Sequence, residues 1–180
     1  FYIDDAFPEL WKQPIKEGTL RWNAAFEKIG FKNAVQVRDF PKDDPEFDPD
    51  NLKYSCIRYL PSSTANAMGP SWVDPTTGEI VNASVLVYND VIRLINNWRF
   101  VQTAQIDPLV RSKELPEALL NESLTYVIAH EIGHCIICRL QLPIRWTLCV
   151  RQVSRQNTGR LLRSWIMPVS ITWRNPGIGV

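Results

Sequence analysis

The chain predicts an α+β domain, a sheet covered by helices, and three features carry that expectation. Short β-rich segments gather in its first two thirds. Two stretches with apolar residues at helical spacing bracket them. A third such stretch, from about residue 116 to residue 134, carries the only two histidines among 180 residues.

The elements follow in order. The spacing predicts a helix over residues 14–29, with Pro14 in its first turn, Ile15, Trp22, Phe26 and Ile29 on one stripe, and Gly30 as the stop. Residues 33–40 alternate like a half-buried strand, and residues 54–60 read as a second. Between them, residues 41–51 hold five acids and three prolines. Oxygen ligands are plentiful enough there for a calcium loop, but no ordered ligand spacing is visible, so a solvated loop is the expectation. After Pro61 comes a loop rich in Ser, Ala and Gly. Asp74-Pro75-Thr76-Thr77-Gly78 is a turn signal leading into a strand at residues 83–88. A helix over residues 90–102 follows, with Val91, Ile95, Trp98 and Val101 or Gln102 on one side. In the last helix Pro116 and Glu117 suit the first turn, and Leu124, Ile128, Ile132 and Ile136 repeat every four residues as a buried face.

Composition bounds the rest. With 45% apolar and 22% charged residues, the chain has ordinary globular composition and the length of one domain. No apolar run approaches the roughly 18 residues of a membrane span, and no leader pattern is legible near Phe1. Because Phe1 is not an initiator methionine, the chain reads as a piece of something longer. Four cysteines, Cys56, Cys135, Cys138 and Cys149, are too sparse for a disulfide framework, although Cys135 and Cys138 form a CxxC that keeps a structural zinc knot open.

The chemistry lies in His130-Glu131-Ile132-Gly133-His134. Residues four apart share a helix face, so both imidazoles point to one spot with Glu131 beside them. Two neutral imidazoles can hold zinc, which lowers the pKa of a bound water toward ~7, and the neighbouring carboxylate can take that water's proton. The expected site is therefore His130 and His134 as zinc ligands and Glu131 as general base. The expected reaction is peptide-bond hydrolysis.

These residues resemble a known family. HEIGH on a helix, after Asn66-Ala67-Met68-Gly69-Pro70, the stretch over residues 69–80 and Trp98-Arg99-Phe100-Val101-Gln102-Thr103, is similar to the metzincin-type zinc metallopeptidases. The likeness is greatest to the catalytic domain of large bacterial zinc-dependent proteases with HEIGHxxGxxHN, and it runs over residues 1–135. It implies a zincin-like upper subdomain, with a twisted mixed sheet, packing helices and an active-site helix. It also implies export from the cytoplasm and an extended peptide or protein substrate lying on a sheet edge formed by residues 83–88.

Past residue 135 the pattern is lost. The family has glycine at position 137 and a third histidine ligand at 140, where this chain has Ile137 and Leu140. Catalytic zinc sites use three protein ligands, so zinc held by His130 and His134 alone is expected to be weakly bound and the enzyme impaired. No His, Asp or Glu follows His134. Cys135 points to the side of the helix, and Cys138 lies about 12 Å from His130 along its axis. Residues 1–135 carry 13 basic and 19 acidic side chains, whereas residues 136–180 carry seven arginines and no lysine or acid. With the reading frame moved back by one base, the codons of Trp146-Thr147 and Trp165-Ile166 each force aspartate. Those of Met167-Pro168 force alanine, and His-Asn-Met is permitted across residues 135–138. Residues 136–180 therefore read as an out-of-frame, irregular tail after loss of about four codons and one base. Two other readings compete with the enzyme. One is a non-catalytic His/Cys zinc module using His130, His134, Cys135 or Cys138. The other is nucleic-acid binding by the arginine tail with its tryptophans, a partner the preferred reading excludes.

Overall fold

The computed structural model describes residues 1–137, so the tail, Cys138 and position 140 lie outside the described residues. Its elements are β1 (Tyr2–Ile3), α1 (Glu9–Leu20), α2 (Asn23–Glu27), β2 (Arg38–Asp39), β3 (Cys56–Leu60), β4 (Ala67–Met68), β5 (Ser71–Val73), β6 (Ile80–Ala83), β7 (Val85–Tyr88), α3 (Val91–Thr103) and α4 (Glu117–Ile137). A 3-10 turn, Pro108–Arg111, links α3 to α4. The class is α+β with a mixed sheet. No helix among the described residues is long and apolar enough to cross a membrane.

The main sheet has the order β2-β1-β3-β7-β4; β4 runs antiparallel to β7 and every other pair is parallel. On β7, Val85 and Val87 are fully buried while Leu86 and Tyr88 are half-buried, so one face of the sheet lies under the helices. That face joins Ile3, Ile57, Val85 and Val87 to Ile15, Val91, Ile95, Leu124, Ile128 and Ile132 in one core. The buried face expected for α4 is borne out: Leu124, Ile128 and Ile132 are wholly buried and Ile136 partly so. α1 crosses α4 closely enough that a Cβ on Gly18 would lie 2.6 Å from the Thr125 carbonyl oxygen.

Several boundaries differ from expectation. The first helix begins at Glu9 and encloses Pro14, with Pro8 at its N-cap. It breaks near Trp22 because tertiary partners take over there. The Trp22 indole donates to the Ala129 carbonyl at 2.8 Å, and the Asn23 amide exchanges two hydrogen bonds with the Val35 backbone at 2.9 and 2.8 Å. That second exchange also explains why residues 33–40 form only a two-residue strand: a side chain, not a neighbouring strand, satisfies Val35. The segment at 83–88 is divided, with Ile80–Ala83 pairing to β5 and Val85–Tyr88 entering the main sheet. Strands β1, β4 and β5 were not legible, being two or three residues long. The turn at residues 74–78 is present, closed by Gly78 N–H to the Asp74 carbonyl at 2.8 Å with Gly78 at φ 76°. In residues 41–51, carboxylates cap their own turns, Asp44 accepting from the Glu46 amide at 3.0 Å and Asp48 from the Asp50 amide at 2.9 Å. The solvated-loop reading accounts for that geometry.

Candidate metal and hydrolytic site

α4 positions the site because its apolar stripe leaves the opposite face turned outward. Tyr126, His130 and His134 recur every four residues on that face, and their rings form a column. Tyr126 and His130 centroids are 6.5 Å apart, and those of His130 and His134 are 4.6 Å apart. Trp98 of α3 stacks on Tyr126 at 6.0 Å and 25°. The hydrogen bond from Trp22 to Ala129 holds the helix at the residue before His130. From the sequence Trp22 and Trp98 were legible only as packing residues of their own helices, not as supports of this face. The one available signal was helical spacing from His130 back to Tyr126.

The two Nε2 atoms stand 3.0 Å apart. That is a hydrogen bond from one imidazole to the other, and two imidazoles on a tetrahedral zinc at Zn–N of about 2.0–2.1 Å would place their nitrogens about 3.3 Å apart, so the spacing is within a few tenths of an ångström of what a shared ion requires. Burial, with His134 as a smaller cause, pushes His130 down to about 4. Desolvation lowers His134 as well, although its ring still reaches solvent. Both rings are thus neutral near pH 7, the form that coordinates metal.

Glu131 points elsewhere. Burial pushes its carboxyl up to about 7, and a backbone hydrogen bond at Gly69 pulls the other way. The connection just after β4 therefore lies directly over the candidate base. A Cβ on Gly69 would come within 2.3 Å of the Glu131 carbonyl oxygen and 3.2 Å of the Cys135 sulfur. Only glycine permits that approach. A carboxyl poised near 7 sits in the range in which a side chain can both take and return a proton.

Cys135 is buried against the sheet, its sulfur 3.8 Å from the carbonyls of Pro70 and Ser84, and so faces away from the histidines as expected. Among the described residues no group of three or more His, Cys, Asp or Glu is placed to hold a metal ion. The donors present fit two of the three protein ligands of a catalytic zinc.

One expectation from the resemblance is corrected. Residues 85–88 are not a sheet edge, since β7 has β3 on one side and β4 on the other. The edge strand on that side is β4. The Tyr88 and Ser84 amides donate to the carbonyls of Asn66 and Pro70, at 3.3 and 3.0 Å, and Met68 stands opposite Leu86. By antiparallel alternation, the backbone groups of Ala67 and Gly69 then point away from β7. No family model, curated protein or solved structure matches the chain.

Proposed function

We propose that this chain is the upper, zincin-like part of a metzincin-type zinc endopeptidase, impaired by the lack of the third histidine ligand. The observation that carries the reading is the 3.0 Å approach of the His130 and His134 Nε2 atoms on one face of α4, with the Glu131 carboxyl held on the neighbouring face under the β4 connection. Zinc, when bound, supplies Lewis acidity, which acidifies a water and polarises a carbonyl. His130 and His134 would hold the ion as neutral ligands. Glu131 would accept the proton of the attacking water and return it to the leaving amine. The outward backbone groups of Ala67 and the outward carbonyl of Gly69, whose amide is held by Glu131, would orient an extended peptide by strand addition, which moves the docking edge from residues 83–88 to β4. Export from the cytoplasm goes with this reading on the resemblance alone.

The His/Cys zinc module is disfavoured by the orientation of Cys135, and its remaining donor, Cys138, lies outside the described residues together with the arginine tail. The test is zinc stoichiometry by elemental analysis alongside cleavage of an unstructured protein. The expected result is zinc uptake that disappears in His130→Ala and His134→Ala, and slow cleavage that Glu131→Gln abolishes while zinc is kept. Uptake unaffected by either histidine change would sink the reading. Restoring the alternative frame after residue 135 is expected to tighten zinc and raise turnover.

A further inference from the structure

The chain protrudes at the end of α2. Phe31 N–H donates to the Phe26 carbonyl at 3.0 Å and Gly30 N–H to the Glu27 carbonyl at 3.1 Å, with Gly30 at φ 95°. Paired bonds of this kind close a helix end around a left-handed glycine, and they commonly fold the apolar residue after the glycine back onto the helix. Here that side chain stays in water. Phe31 is 60% exposed, and Ile29, on the other side of Gly30, is 68% exposed. Every residue from 27 to 34 is exposed. At the root of the protrusion, the two hydrogen bonds between the Asn23 amide and the backbone of buried Val35 tie its ends to each other and to the core.

Charge selects the occupant. The apex is Lys28-Ile29-Gly30-Phe31-Lys32, with a lysine on each flank of the apolar pair. Residues 21–38 hold four cations, Arg21, Lys28, Lys32 and Arg38, against one acid, Glu27, although residues 1–135 as a whole carry more acids than bases. Hydrocarbon at an apex with ammonium groups beside it matches the boundary of an anionic bilayer, where acyl chains lie beneath negatively charged headgroups. Lysine suits that boundary, because its methylene stem can lie along hydrocarbon while its ammonium remains among the headgroups. A soluble polyanion would engage the lysines and leave Ile29 and Phe31 in water.

We infer that the turn after α2 docks this chain on an anionic lipid surface, with Ile29 and Phe31 entering the acyl boundary and Lys28 and Lys32 held at the headgroups. Two apolar side chains and two cations make the attachment weak and reversible. Zinc and hydrolysis play no part in it, so it stands or falls apart from the peptidase reading.

The experiment uses the full chain and a local readout, since the seven arginines of residues 136–180 attract anionic vesicles by themselves. In a Cys138→Ser, Cys149→Ser background the remaining cysteines, Cys56 and Cys135, are buried, so Phe31→Cys or Ile29→Cys takes an environment-sensitive nitrobenzoxadiazole label selectively. Either label is expected to brighten and shift to the blue on vesicles of phosphatidylcholine with phosphatidylglycerol, and to stay unchanged on phosphatidylcholine alone. The same label at Thr77, exposed in the turn between β5 and β6, is expected to stay unchanged on both. Adding Lys28→Gln and Lys32→Gln is expected to lower the shifted fraction at limiting lipid about 25-fold, roughly fivefold per lysine. No shift at residues 29 and 31 overturns the inference even where the chain sediments with the vesicles, and so does an equal shift at residue 77. A shift that survives loss of both lysines, or is as large on phosphatidylcholine alone, overturns it as well. A shift reproduced by heparin would assign the turn to a soluble polyanion. One that grows with protein concentration in the absence of lipid would assign it to a second copy. Either result overturns the membrane assignment.

Discussion

α3 and α4 look alike as sequence, each an apolar stripe on a helix before or at the HEIGH motif, yet they bury their faces by different means. α4 keeps hydrocarbon throughout, with Leu124, Ile128 and Ile132 wholly buried. α3 begins the same way with Val91 and Ile95 and then buries Arg99 and Thr103; of the two candidates for the next inner position, Gln102 is half-buried and Val101 is 79% exposed. The Arg99 Nε donates to the Ser123 hydroxyl at 2.8 Å, and Ser123 donates to the Leu119 carbonyl at 2.6 Å. A helix face can thus continue inward by hydrogen bonding where its apolar pattern stops.

That contrast can be broken most forcefully on α4. Ile128→Ala removes a wholly buried side chain at the crossing with Gly18 of α1, and the expected loss is about 2–5 kcal/mol in denaturant unfolding. A loss under 1 kcal/mol would mean that the α1–α4 contact contributes little.

The histidine-bearing part of α4 offers a sharper test, in metal-free protein. His130 is depressed from 6.5 to about 4, so the unfolded chain binds its proton more readily and stability rises with pH across that window. Glu131 is raised from 4.5 to about 7, so the folded chain binds its proton more readily and stability falls across nearly the same window. In the parent chain the two slopes oppose each other. Glu131→Gln is expected to expose the rise and His130→Gln the fall, each roughly 3 kcal/mol from end to end in urea titrations between pH 4 and 7. Two variants with the same slope as the parent would show that these groups are not desolvated.

On α3, Arg99→Ala is expected to cost about 1–3 kcal/mol by leaving polar partners unmatched, and Arg99→Met less, because the aliphatic stem still packs. Equal costs would assign the whole effect to the lost hydrogen bonding. The smallest effect belongs to Val101→Ser, within about 0.5 kcal/mol in the same assay, since that side chain is in water.

Legibility of the sequence followed the same division. The HEIGH spacing brought His130 and His134 to one face, and the fourfold repeat of Leu124, Ile128 and Ile132 identified the opposite one. Residues 33–40 alternate as a strand should, yet Asn23 captures Val35 and only Arg38–Asp39 pairs. The arm over residues 66–73 read as a loop because Gly69 and Pro70 interrupt it, although the ladder continues through the Pro70 carbonyl.

The sequence by itself determined the α+β class, through the order of its β-rich and helical stretches, and the shared face of His130 and His134 opposite the buried stripe of α4, through spacing along one helix. Tertiary structure alone decided that β4 is the edge strand beside β7 and that Gly69 lies over Glu131. The first relation pairs strands about twenty positions apart and the second joins residues 62 positions apart, where no local periodicity extends and close packing makes the selection.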